Sequence, residues 1–472
     1  MRRRPRVTRS ALVWRPLRSL FAVPLLALAC SASTTGESSD ASATKGLDGS
    51  KDASLHDATR HDASLRDAAA DLDALHPPRD SGTPSIDAAA CKGVAIVPPI
   101  SIAGRRFVDG HGCSFSLSGI DVQIQPGLDA TATASEIASD GFNFVRLVQY
   151  WDDLEPTAPT VGDGGMIVHH WNAGHVDQVV GLASALVARG ILVALQFHQG
   201  GNLGVPTWAL PASVQDGGWG NGTAKCDFYQ NAPGAGAPTL PPHEAMAEAW
   251  AYLLGAAAGT DAGDNGFIFA ADLFNEPPIP IPCEGDILDG GRLVDDFFVR
   301  VGARLHELRP TTLLMIEDNA YTSYTCLYPG QHALSNDLPA ELSEAGVALG
   351  HWAYSWHFYP YAWSQGQAAF GEHVARAATW GVPFWIGEFN PRAGVQCSDT
   401  NDEVPPSWQA DPLSFELGNP DAGTLGAFQE AGVSWSLWVL NASGHPSNSL
   451  IWDAGDPSNI LLRALEHAEA NQ

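Results

Sequence analysis

The chain has 472 residues, with 53 Asp and Glu against 25 Lys and Arg, a formal net charge of −28. That length allows one large core with appendages, and the charge repels phosphate backbones and anionic headgroups, which excludes a nucleic-acid partner. Residues 1–90 hold 12 of the basic and 11 of the acidic side chains, leaving 13 against 42, a net of −29, for residues 91–472.

Residues 1–29 begin Met1-Arg2-Arg3-Arg4 and turn apolar from Leu20 to Ala29, ahead of Cys30. A basic start, a short apolar stretch and Ala27-Leu28-Ala29 predict a secretory signal peptide. The run is too short to span a bilayer as a mature helix. Cys30 after a small residue resembles a bacterial lipoprotein site, so acylation of Cys30 is expected, the alternative being plain cleavage after Ala29. The protein is thus expected to be exported, as an outer-surface lipoprotein or a secreted protein, with membrane contact only through a lipid on Cys30. Residues 30–90 repeat Asp, Ala and Ser, as in Asp52-Ala-Ser-Leu-His-Asp57 and Asp62-Ala-Ser-Leu-Arg-Asp67. Their few leucines cannot offset the entropy of ordering, which predicts a disordered tether.

Reserving Cys30 leaves six cysteines, Cys91, Cys113, Cys226, Cys283, Cys326 and Cys397. In an exported chain six can form three disulfides in fifteen connectivities. The expected pairing is Cys91–Cys113 locally, with Cys226–Cys283 and Cys326–Cys397 bracing loops on one face. No two cysteines form a CxxC pair, so a zinc site is not expected.

From Cys91 onward, apolar runs alternate with helical periodicity. The predicted strands are 116–123, 142–150, 191–198, 267–276, 312–317, 352–359, 382–388 and 433–440, and the clearest helices are 175–189, 243–258, 292–308 and 367–380. Gly141, Gly190, Gly381 and Gly432 stand just before the next strand, where helix C-caps belong. Eight such units predict an α/β chain, a (β/α)8 TIM barrel over residues 91–472, preceded by the signal peptide and the linker. A doubly wound sheet fits the alternation too, but no Gly-rich phosphate loop follows any strand.

Two of these strands end in glutamate: Glu276 after Phe267–Asn275, and Glu388 after Val382–Gly387. Continuous apolar runs read as strands buried on both faces, and a carboxylate at such a strand end faces the mouth of the barrel. One glutamate there is an ordinary solvent-facing charge. Two on separate strands match glycosidic cleavage, in which one acid protonates the leaving oxygen and one carboxylate attacks or activates water. Other predicted strand ends carry Arg146, His198, His357-Phe-Tyr359 and Trp435-Ser-Leu-Trp438.

Gly141-Phe-Asn-Phe-Val-Arg146, Phe274-Asn-Glu-Pro277, His357-Phe-Tyr359 and Ile386-Gly-Glu-Phe389 resemble glycoside hydrolase family 5, the cellulase family, in the family's order over residues 100–465. The resemblance implies a retaining mechanism without metal or cofactor, Glu276 as acid/base and Glu388 as nucleophile. It implies substrate contacts from Arg146, His198, Asn275, His357, Tyr359 and Trp438, with Asn275 on the sugar 2-hydroxyl. Arg146 and the Tyr359 hydroxyl are expected to hold the Glu388 pKa down, and an ionised Glu388 to raise Glu276. Gln196 departs from the family, which often carries Asp two residues before the strand-three histidine; weaker support of His198 is expected.

The expected partner is a β-linked polysaccharide or oligosaccharide, cut by a cellulase-like, monomeric endo-β-glucanase. Trp151, Trp208, Trp219, Trp363 and Trp408 fall in predicted loops, where some would stack on sugars. The stretch Trp151-Asp-Asp-Leu-Glu155-Pro156 with His198-Gln199 is locally similar to the endoglycoceramidase-related branch. The alternatives are therefore a β-mannanase or a glycolipid-cleaving enzyme of this family, or a non-catalytic carbohydrate-binding surface protein. A Schiff-base lyase is disfavoured by the lack of a strand-end lysine.

Overall fold

In the computed structural model the described residues are 91, 94–198, 204–210, 227–234, 236–237, 239–259, 266–277, 292–318, 332–358, 363–389 (backbone only to 368), 428 and 431–440. The expected signal peptide and tether lie outside them, as do Cys226, Cys283, Cys326 and Cys397. Everything that follows concerns the unit Thr83–Gln472.

Strands β1 (Ser101–Ala103), β2 (Arg106–Val108) and β3 (Ser114–Phe115) form a small antiparallel sheet. The expected Cys91–Cys113 disulfide is present beside it. The chain then runs β4 (Ser118–Gln123), α1 (Ala130–Ser139), β5 (Phe144–Gln149), α2 (Trp151–Leu154), β6 (Thr157–Val161), β7 (Ile167–His170), α3 (Ala173–Val187), β8 (Leu192–Phe197), α4 (Pro242–Ala258) and β9 (Ile268–Asp272). It continues through α5 (Arg292–Leu308), β10 (Leu313–Glu317), α6 (Leu338–Glu344), β11 (Trp352–Phe358), α7 (Trp363–Trp380), β12 (Phe384–Phe389) and β13 (Ser434–Leu440). Eight strands, β4, β5 and β8 to β13, pair in parallel, and β13 returns onto β4 to close the barrel.

Local chemistry places the helices. Asp129 caps α1 by accepting from the Thr131 and Ala132 amides, and Asn172 caps α3 from the His175 amide. The predicted C-cap glycines have left-handed backbones, with φ of 81° at Gly141, 76° at Gly190, 71° at Gly381 and 65° at Gly432. A side chain resists that conformation and glycine does not.

The core has two parts, as strand alternation requires. Residues such as Ile120, Leu147, Leu195, Ile316 and Ile386 face out and pack with the helices in one large cluster. Inside, Phe144, Leu192, Ala270, Met315, Ala353 and Trp385 join Ile100 and Phe107 from the region of the small sheet. Phe144 packs edge-on to Trp385 at 5.7 Å, and Phe107 edge-on to Phe269 at 6.3 Å. Two positions further along their strands, the barrel-facing residues become charged: Arg146 after Phe144, Asp272 after Ala270 and Glu317 after Met315, all fully buried. The interior is thus apolar at one end and ionic at the other.

The β6–β7 hairpin is tied to α4 by a histidine. His169 Nδ1 lies 2.7 Å from Glu155 Oε1 and its Nε2 2.8 Å from Glu248 Oε2. Its ring stacks on Trp171, which stacks in turn on Tyr252, each at 4.4 Å. Burial alone lowers the imidazole pKa, but bonds from two carboxylates outweigh it and carry the value to about 9. Because this exceeds the unfolded value, the stabilisation is complete below about pH 6.5 and is lost as pH rises through 9. The stability advantage of wild type over His169→Gln, on the order of 2–3 kcal/mol near neutrality, should fade between pH 7 and 10 in chemical denaturation. An advantage that is constant across this range means that the ring is neutral.

Candidate active site

Arg146 on β5 is the centre of the ionic end. Fully buried, it donates from Nε to Asp272 Oδ2 at 2.7 Å, from Nη1 to Glu388 Oε1 at 2.6 Å and from Nη2 to Asn275 Oδ1 at 2.7 Å. Asp121 Oδ2 on β4 lies 3.4 Å from Nη1. Bonds of this kind are short because the guanidinium donor carries charge. Four strands therefore converge on one guanidinium, which positions Asn275 and Glu388.

His357 on β11 lies between the two glutamates. Its Nδ1 is 3.0 Å from Glu276 Oε1 and 3.5 Å from Glu388 Oε2. Its Nε2 is 3.1 Å from Glu317 Oε1 and 3.5 Å from Arg146 Nη2. Burial drives its pKa down to about 3, so the ring is neutral at neutral pH. Gly387 makes room for it: a Cβ there would stand 2.9 Å from His357 Nε2 and 2.9 Å from Ser355 Oγ.

Glu276 corrects one sequence expectation. The ladder of β9 ends at Asp272, so Glu276 is not the last residue of the strand but stands four residues beyond it. Asn275 N still donates to Phe197 O at 3.0 Å, after which the backbone turns and Glu276 takes φ 40°. Its N–H is satisfied by a side chain, Glu317 Oε2 at 2.9 Å. Glu388 does lie within its strand, at a register irregularity between β12 and its neighbours.

Carboxyl acidity here follows charge arithmetic. Burial pushes Asp121, Asp272, Glu317 and Glu388 all upward, Asp121 and Glu317 the furthest, while the one guanidinium pulls them back. The Arg146 bond therefore does not bring Glu388 below its ordinary value, as the sequence led us to expect; burial outweighs it. Glu388 and Asp272, with the shortest guanidinium contacts, are the members of the cluster best placed to stay ionised. The opposite case stands next door. Asp318 is buried too, yet bonds from His332 and the charge of Arg376 hold it well below the usual carboxylate range.

The remaining expected contacts divide. Trp438 on β13 stacks on His198, with centroids 5.1 Å apart at 12°, and Tyr150 packs edge-on to the same histidine. The Gln196 amide donates to Phe197 O rather than to His198. Tyr359 lies outside the described residues. Trp151 and Trp208 are not sugar platforms: both are buried, 5.5 Å apart and edge-on, and the Trp208 indole donates to Glu155 O. They form a core shared by the connections after β5 and β8. Trp219 and Trp408, and the side chain of Trp363, lie outside the described residues.

Sequence reasoning missed Asp121, Asp272 and Glu317. The signal for each was a carboxylate inside or closing an otherwise apolar strand. Glu276, His357 and Glu388 offer atoms within 4.8 Å of one another, as do Asp318, His332 and His373. In both groups a guanidinium bonds or closely faces a member carboxylate, Arg146 on Glu388 and Arg376 on Asp318.

Comparison with known proteins bears on the family and the fold. A segment of 127 residues is 32% identical to endoglycoceramidase I of Rhodococcus hoagii (strain 103S), covering 24% of each protein. The chain thus matches about a quarter of that relative's length. Among solved structures, an endogalactoceramidase superposes with TM-score 0.52 at 18% identity, covering 73% of this chain and 75% of the other. Endo-glycoceramidase II from Rhodococcus sp., in complex with ganglioside GM3, superposes with TM-score 0.50 at 19% identity, covering 77% and 81%. These two share the fold. The model of the cellulases, glycosyl hydrolase family 5, matches residues 108–444, and the chain belongs to that family.

Proposed function

We propose that this glycosidase retains anomeric configuration, with Glu388 as nucleophile and Glu276 as acid/base. The observation that carries the reading is the closeness of the pair: one carboxylate oxygen of each lies within 4.8 Å of the other. Retaining enzymes hold their carboxyls at about 5–5.5 Å, whereas inverting ones leave about 6.5–9.5 Å for a water. In the first step Glu388 attacks the anomeric carbon and Glu276 gives its proton to the leaving oxygen. In the second, Glu276 takes a proton from water, which cleaves the ester. Arg146 steadies Glu388 Oε1 throughout, and Asn275, fixed by Arg146 Nη2, is placed to meet the sugar 2-hydroxyl. Trp438, held face to face with His198, offers an apolar surface to the ring.

For the substrate, the favoured reading is a β-linked glycan carried on a lipid rather than cellulose. Two observations support it: the local likeness to endoglycoceramidase I, and the burial of Trp151 and Trp208, which removes two of five aromatic platforms from an extended polymer cleft. The Cys91–Cys113 bridge supports an oxidising, exported address. A reducing-sugar assay on a glycosphingolipid, carboxymethylcellulose, mannan, xylan and mixed-linkage glucan tests the choice. Release of oligosaccharide from the glycosphingolipid at least tenfold faster than from any polymer is expected. Preference for carboxymethylcellulose or mannan returns the enzyme to the polysaccharide class.

A further inference from the structure

Glu317, at the end of β10, is used by none of the chemistry above, although it touches both of its central groups. It is completely buried. Its Oε2 accepts the Glu276 N–H at 2.9 Å, and its Oε1 lies 3.1 Å from His357 Nε2. Glu276 is one of only two non-glycine residues with positive φ among those described, a backbone that persists only where its surroundings enforce it. The Glu317 oxygen is such an enforcing contact.

The second oxygen settles a proton position. His357 Nε2 faces Arg146 Nη2 at 3.5 Å, and a guanidinium nitrogen can only donate. A hydrogen on Nε2 would point at another donor, so the neutral ring carries its hydrogen on Nδ1, toward Glu276 Oε1. Nε2 is then an acceptor 3.1 Å from Glu317 Oε1. An ionised Glu317 would set lone pair against lone pair there, whereas a neutral acid donates its hydrogen and completes the bond. The groups facing Glu317 agree: Asp272, Glu276 and Glu388 are carboxyls, His357 is neutral, and Arg146 is the cation they share.

The geometry points to Glu317 as a positioning residue held as a neutral carboxylic acid, which fixes the Glu276 backbone through Oε2 and the Nδ1–H tautomer of His357 through Oε1. His357 Nδ1–H is thereby aimed at the carboxyl that must cycle between acid and base. This rests on the proposed role of Glu276, and one arm of the test does not.

Glu317→Gln reproduces the arrangement, since its amide oxygen can accept the Glu276 N–H and its NH2 can donate to His357. Its kcat/KM on an activated aryl β-glycoside should stay within about threefold of wild type, with the pH profile unmoved. Glu317→Met has similar length and neither function; its kcat should fall about 100-fold with KM changed less than threefold. Independently of any substrate, the infrared carbonyl band of one protonated carboxylic acid at neutral pH should disappear in Glu317→Gln. A Glu317→Gln protein that is inactive or does not fold means the site needs the carboxylate, and overturns the proposal. So does a Glu317→Met protein with full activity, or an unchanged infrared band. If wild type cleaves no glycoside, the glycosidase roles fail, and the band still decides the state of Glu317.

Discussion

Glu388→Ala is expected to abolish turnover on every substrate, a loss on the order of 10⁵–10⁶ in kcat by comparison with other covalent nucleophiles. The reason is local. Glu388 Oε1 is held 2.6 Å from Arg146 Nη1 and its Oε2 3.5 Å from His357 Nδ1, and alanine supplies no atom that could form the ester. The space left is next to a guanidinium, which suits a small anion. Added azide should therefore restore cleavage and yield a product of inverted configuration, because the anion attacks once where the enzyme attacks twice. Glu276→Ala should behave differently. Substrates with good leaving groups need no acid, so they should still glycosylate Glu388, and the enzyme should then stall because no base activates water. Equal losses in both variants, independent of leaving group and unresponsive to azide, would sink the assignment.

Arg146→Met is expected to cost about 3–5 kcal/mol of stability, the usual result of stranding buried charge, together with all measurable activity. Asp121, Asp272 and Glu388 would share a buried space with no cation, since Arg146 makes an ion pair with each. Arg146→Lys separates charge from shape. An ammonium keeps the positive charge, and much of the stability should return. It cannot bond Asp272, Glu388 and Asn275 at once from three nitrogens of one plane, so kcat should remain low by about two orders of magnitude. Denaturant midpoints and kcat measured on the same two variants decide it: a lysine enzyme as active as wild type means that charge alone suffices.

The barrel itself was legible in the amino-acid order. All eight strands fall where apolar runs predicted them, within about two residues except on the strand before Glu276, because burial on both faces leaves a continuous apolar signature that needs no knowledge of neighbours. The glycines that end the helices were legible for a similar reason, since a left-handed backbone is a local demand. Arg146, Asn275 and Glu388 could be found because short motifs carry them. Gln196 could be seen to differ, and the structure shows its amide turned to Phe197 O.

Partnership was decided by closure of the barrel. Arg146 meets Asp272 across 126 positions and Glu388 across 242, and periodicity within one strand says which face a residue occupies but not which distant carboxyl it meets. Asp121, Asp272 and Glu317 therefore read as isolated polar residues in apolar runs, although one guanidinium gathers the first two and the third holds the Glu276 backbone. The same limit applies to Trp151 and Trp208. An aromatic in a loop is equally suited to stacking on a sugar or on another ring, and only their edge-on packing 5.5 Å apart chose between the two. The amino-acid order by itself determined the strands, the turns and the glutamate pair. The tertiary structure decided which carboxyls are pushed toward the protonated form, because that depends on burial and on charges brought together from strands far apart in the chain.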